Sequence, residues 1–233
     1  MKRFWDKAEA VVSGTGFGVS LDGKPVRLPG GAVLAVGTRA LAEAIAAEWQ
    51  AAGGARDGEF GMEDVPLTRI AATAQEKIAP DPHATVAALA KFGETDLLCY
   101  RAADPPALVA RQHAAWQPWL DWARDRLNAD LAVTQGVIHV PQEPDALAAL
   151  VAILSAEKPM VLAGLGVMVP ALGSLVLGLA VAHGALDVDA AHEAAIVDDL
   201  FQEALWGADD EAVERRARIR AELRLAARVI ALA

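Results

Sequence analysis

Between Lys158 and His183 the chain reads PMVLAGLGVMVPALGSLVLGLAVA, about 24 residues without a charge. That length could span a bilayer as one helix, so its reading decides whether the fold is membrane-bound or globular. Gly164, Gly166, Pro170, Gly173 and Ser174 crowd its middle. Proline suits the first turn of a helix, so Pro170 is expected to open a second helix. The flanks carry no aromatic belt and no basic cluster. Two short buried helices, 160–169 and 171–183, are therefore expected in place of a membrane span.

Working outward, the segments before and after this run are mostly helical in pattern. Residues 83–92, 105–128, 144–156, 188–206 and 209–231 are expected helices, with a break or kink at Pro118. Leu131–Val140 is the exception and looks strand-like. Pro80-Asp81-Pro82 interrupts the periodicity and marks a boundary.

Strand signals come ahead of that boundary. Val19-Ser20-Leu21 and Val26-Arg27-Leu28 flank Asp22-Gly23, the turn chemistry of a two-residue hairpin. Pro25 belongs at a strand start or edge, and Val33–Val36 is a further short strand. Thr38 is placed to cap a helix that sets Leu41, Ile45 and Trp49 on one face and stops at Gly53-Gly54. Pro66 opens another helix, PLTRIAATAQEKIA. The expected fold class is α+β. A small β-containing N-terminal domain spans 1–80 and a larger all-helical C-terminal domain spans 81–233.

Composition narrows the function classes. The formal net charge is −10, which disfavours binding nucleic acid through a basic field. One cysteine, Cys99, cannot form an internal disulfide. The N-terminus MKRFWDKAEAVV lacks the apolar stretch of a secretory signal. A bacterial cytoplasmic protein is expected, or a mitochondrial matrix protein after processing.

No segment carries a persuasive catalytic pattern. Phe92–Ala123 holds Trp116, Trp119, Trp122, the single tyrosine and the single cysteine, but no nucleophile–base pair or phosphate loop. The tryptophans recur at helical spacing, so core packing is the default reading and an exposed binding face the sharper one. Gly14-Thr15-Gly16-Phe17-Gly18 has the wrong spacing for a dinucleotide loop and reads as a turn. Cys99 is expected to be buried rather than reactive. Ser174 has no nucleophile-elbow context and is expected to act as a small packing residue. His183, Asp187, His192, Asp198 and Asp199 lie close in sequence, but the Glu-x-x-His repeats of a di-metal bundle are missing. A hydrolase or metal-dependent enzyme using the 183–203 cluster is the alternative reading.

The C-terminal region is segregated by charge. Glu193, Asp198, Asp199, Glu203, Asp209, Asp210, Glu211 and Glu214 precede Arg215, Arg216, Arg218, Arg220, Arg224 and Arg228. An acidic start and a basic end suit the last helix's macrodipole, so a solvated, capped face is one reading. A patch that docks a basic partner surface is the other. Phe201, Leu205 and Trp206 would then be its apolar anchors.

Eight segments in order give the chain a family resemblance. They are RFW (Arg3–Trp5), LDGKPVRLP (Leu21–Pro29), LAEAIAAEW (Leu41–Trp49), VPLTRIAATA (Val65–Ala74), TDLLCYRA (Thr95–Ala102), WQPWLDWA (Trp116–Ala123), LGSLVLGLA (Leu172–Ala180) and FQEALWGADDEA (Phe201–Ala212). In these the chain resembles the Atp12 family, assembly chaperones of the F1 part of ATP synthase. The resemblance implies a protein without catalysis or cofactor. It would bind the free α subunit of F1, keep it from aggregating and yield it to the β subunit, with no membrane insertion and as a monomer. It also implies a partner-binding role for the acidic C-terminal segment, here Asp198, Asp199, Glu203, Trp206, Asp209, Asp210 and Glu211. Family members often carry glutamate where this chain has Asp199, so the charge is kept and the reach shortened. Trp49, in the family's EW pair, reads as structural.

Overall fold

A computed structural model describes residues 1–233, and the chain divides into two compact units. The first takes Met1–Pro82 together with Lys158–Gly164 and Arg228–Ala233. Nothing in the sequence groups those two later segments with the N-terminal region. The second unit takes His83–Glu157 and Leu165–Ala227.

In the first unit, β1 (Ala8–Ser13), β2 (Gly16–Leu21) and β3 (Lys24–Pro25) form an antiparallel sheet in that order. The turn between β2 and β3 is Asp22-Gly23, with φ of 49° and 81°, so the dipeptide adopts the left-handed backbone a tight hairpin requires. Pro25 lies in the edge strand, where its missing N–H costs no ladder bond. Val33–Val36 falls short of a strand, making only bridges from Val33 to Arg27 and from Val36 to Phe17.

Thr38 caps α1 (Arg39–Ala51), accepting the Leu41 N–H at 3.2 Å. Leu41, Ile45 and Trp49 are buried as the periodicity requires. Glu48 accepts the N–H groups of Leu67 and Thr68 at 2.8 and 2.7 Å, capping α2 (Pro66–Thr73). The Trp49 indole donates to Thr68 Oγ1 at 2.8 Å, so the adjacent Glu48 and Trp49 lock α1 to α2. One π-helical turn, Ala74–Ile78, continues α2. Trp5, Trp49 and Phe60 pack edge to face with centroids 5.2–5.7 Å apart. Beside them, buried Arg3 donates to the carbonyls of Gln50, Ala52 and Gly54 at 2.8, 3.1 and 2.8 Å. A cation thus closes the C-terminal end of α1, where carbonyls lack helical donors.

The second unit is helical apart from one short parallel pair. Its helices begin with α3 (His83–Glu94) and α4 (Pro106–Leu127). Between them, β4 (Tyr100–Arg101) pairs in parallel with β5 (Thr134–Gln135), which lies in the strand-like segment. α4 runs unbroken through Pro118. Next along the chain come α5 (Pro144–Ala156), α6 (Pro159–Leu172), α7 (Leu175–Ala182), α8 (Val188–Ala195), α9 (Val197–Trp206) and α10 (Asp210–Leu232), of which residues 159–164 of α6 and 228–232 of α10 belong to the first unit.

The 24-residue apolar run becomes α6 and α7, and no helix is long and apolar enough to cross a membrane. The break, however, is not at Pro170, which sits in the last turn of α6. It falls at Gly173, with φ 64°, followed by Ser174 as the cap of α7. Ser174 accepts the Leu177 N–H at 3.1 Å, so it is a hydrogen-bonding residue and not merely a small one. Leu175 to Ala180 are all buried. The N-terminus of α7 is therefore also buried, and fully buried Asp96 serves it. Its carboxylate accepts the N–H groups of Val176 and Leu98 at 3.0 and 3.1 Å. Burial outweighs those bonds and pushes the Asp96 carboxyl up to about 6.

Candidate partner-binding site

The expected helix over 188–206 is two helices, α8 and α9, divided at Ile196. The Ala194 carbonyl accepts the Trp116 indole N–H at 2.7 Å instead of serving a continuing helix. Of the three tryptophans on α4, only Trp116 is in the core; Trp119 and Trp122 are half-buried. Trp122 meets the His183 ring edge-on at 6.2 Å.

The break sets the direction of the acids on α9. Asp198 turns inward and accepts a hydrogen bond from Gln112 Nε2 at 2.7 Å. Gln112 is itself buried and accepts the Ala102 N–H at 2.7 Å. Asp198 is thus held to α4. Asp199 and Glu203, one turn apart, line a shallow cleft with Trp206 and Asp209. Arg215 and Arg216 of α10 form its other side, and Arg216 closes an ion pair with Glu203. Asp210 and Glu211 occupy the first turn of α10, where acids favour the helix dipole, and do not line the cleft.

The C-terminal charges are therefore partly internal. Arg224 pairs with Asp189 through two contacts of 2.8 and 2.7 Å, which hold the Asp189 carboxyl below its ordinary range. Arg220 donates to Nδ1 of buried His192 at 3.2 Å. Burial and that guanidinium both lower the His192 pKa. Arg216, Arg220 and Arg224 of α10 answer acids on α8 and α9, a role the linear order of charges conceals. What remains unpaired is the rim: Trp206 is 79% exposed and Leu205 59%. The cleft holds about 200 Å³, below the ~300 Å³ at which small-molecule sites begin. An exposed tryptophan beside the exposed carboxylates of Asp199 and Asp209 suits a protein surface, where such anchors carry most binding energy.

The residues of the alternative catalytic cluster do not converge. His183 contacts Glu157 at 3.0 Å, Asp187 caps α8, His192 faces Arg220 and Asp198 holds Gln112. No three of the histidine, cysteine, aspartate and glutamate side chains are grouped to hold a metal ion. Cys99 is fully buried, which pushes its thiol up to about 12.

The model of the ATP12 chaperone protein family matches residues 2–124. The chain belongs to that family. The match stops short of the α8–α10 segment, but similarity to solved structures continues through it. The crystal structure of Atp12 from Paracoccus denitrificans is 42% identical, over 99% of this chain and 97% of that one, with a TM-score of 0.93. An aspartate-to-lysine mutant of the same Paracoccus protein matches equally well. A protein of Agrobacterium tumefaciens, described as a chaperone candidate, is 38% identical over 99% of this chain and 85% of that one, with a TM-score of 0.91. The Atp12 fold is therefore common to all three, including the helices that carry the cleft.

Proposed function

We propose that this chain is an assembly chaperone of F1 ATP synthase that binds the unassembled α subunit, prevents its aggregation and hands it to the β subunit. Membership of the ATP12 chaperone family supports the class of activity. The observation that carries the binding mode is the α9–α10 turn, where Trp206 stands 79% exposed beside Asp199 and Asp209. A free ATPase subunit exposes apolar interface that would otherwise self-associate. A chaperone must cover it and still be displaced. A small, partly electrostatic contact centred on one aromatic meets both needs better than a deep hydrophobic lock. We assign Asp199, Glu203, Trp206 and Asp209 to the contact, with Asp210 and Glu211 extending its acidic field and Asp198 holding α9 in place. The chain is proposed to act as a monomer in the bacterial cytoplasm or the mitochondrial matrix.

Light scattering from the isolated α subunit at a temperature where it aggregates tests this reading. Stoichiometric chain should suppress the signal, and Trp206→Ala with Asp199→Lys should suppress it less. Equal aggregation with and without folded chain would refute the reading.

A further inference from the structure

Arg101 is a buried cation without a counter-charge. It is 8% exposed, and its guanidinium meets only neutral oxygens: Leu98 O at 2.8 Å, Gln112 O at 3.2 Å and Gln117 Oε1 at 3.5 Å. The last is beyond ordinary hydrogen-bond length. One face lies 5.3 Å from the Trp116 ring. Burial holds the Arg101 pKa below its usual value, the sign of a charge removed from water without compensation.

That cation lines a cavity of about 330 Å³. One wall is the stripe Val109, His113 and Gln117, at successive i, i+4 positions of α4. The other is Val133, Thr134 and Gln135, held against β4 because Arg101 pairs with Gln135 in the parallel register. The cavity thus offers a single positive charge, several polar groups and two valine side chains. It is large enough for a ligand of a few heavy atoms or for one inserted side chain.

We propose that the Arg101 cavity binds a carboxylate carried on a short apolar group. A guanidinium matches the planar, two-oxygen geometry of a carboxylate. One cation balances one negative charge, whereas inorganic phosphate, a mixture of mono- and dianion at neutral pH, is balanced only in part. Val109 and Val133 give the alkyl part an apolar contact. The carboxylate comes either from a free small acid or from an acidic side chain or chain end of a bound protein.

Calorimetric titration of the full chain with butyrate, its neutral isostere butyramide and inorganic phosphate tests this. Butyrate should bind saturably, and butyramide and phosphate at least roughly tenfold more weakly. Gln135→Glu places an internal carboxylate opposite Arg101 and should weaken butyrate roughly tenfold while the variant stays folded. Butyramide or phosphate binding as well as butyrate would overturn the proposal, as would no binding at all or an unchanged affinity in a folded Gln135→Glu variant. The wild-type comparison decides even if that variant misfolds. The source follows from retention of isolated F1 α subunit by Gln135→Glu: reduced retention assigns the carboxylate to that client, and unchanged retention assigns it to a free acid. The butyrate titration uses no client, so it stands or falls independently of the chaperone reading.

Discussion

Gln112 on α4 donates to Asp198 on α9 at 2.7 Å, whereas the next residue, Asp199, lines the open cleft. Neighbouring carboxylates thus differ, Asp198 half-buried and bonded to α4 and Asp199 exposed. Asp198→Ala should destabilise the protein by about 1–3 kcal/mol, because Gln112 loses its buried acceptor. Asp199→Lys should leave stability within ~0.5 kcal/mol and weaken client retention. Urea unfolding of both variants checks the contrast.

Acidification isolates Asp96. Its carboxyl is raised from 3.8 to about 6 in the folded protein, so between those values the native state holds a proton that the unfolded chain has released. The Asp96 contribution to stability therefore rises as pH falls through about 6 and levels off near 4. Two units of separation correspond to about 3 kcal/mol. Other carboxylates lose stabilising interactions over the same range, so the contribution is read against Asp96→Asn, which cannot titrate. The stability of wild type relative to the variant should rise from pH 7 to pH 4. A relative stability that falls would mean that the Val176 and Leu98 hydrogen bonds dominate over burial.

Arg3 should tolerate no replacement. Its guanidinium reaches three carbonyls at the end of α1. Losing these charged bonds in a buried setting should cost at least ~2 kcal/mol. Lysine keeps the charge but not the planar fork, so Arg3→Lys should recover less than half of that. Thermal unfolding of Arg3→Ala and Arg3→Lys measures the difference.

Gly178→Ala sets helix propensity against packing. Alanine gains ~1 kcal/mol in a helix interior. Its Cβ, however, would stand 2.7 Å from Val169 Cγ2, and a stiff β-branched neighbour gives way poorly. Overpacking of this kind costs about 1–3 kcal/mol, so the net change should be destabilising. An unchanged or raised Tm would show that α6 and α7 can separate slightly without cost.

The parts of the fold that were legible in the sequence are those set by local chemistry. Asp22-Gly23 specifies its own turn, Thr38 its own cap, and the spacing of Leu41, Ile45 and Trp49 its own buried face. What escaped is set by distant partners. Pro170 is a loud local signal, but the turn is made by Gly173 and stabilised by Asp96, some 80 residues from Val176. The α8–α9 break has no glycine or proline to announce it, because its cause is the Trp116 indole on the Ala194 carbonyl. The acidic cluster was visible as composition. Its division into an inward Asp198, a paired Glu203 and an open Asp199 was not, because Gln112 and Arg216 come from other helices. Arg101 carries no local signal in the sequence, since only tertiary burial leaves it without a counter-charge.

The most direct measurement is a pull-down with tagged chain against separately produced F1 α and β subunits of the same organism. Wild type should retain α and not β, and added β should release the bound α. Asp199→Lys and Trp206→Ala, both folded, should retain less α. Retention of neither subunit by folded chain, with α soluble, would contradict the chaperone assignment.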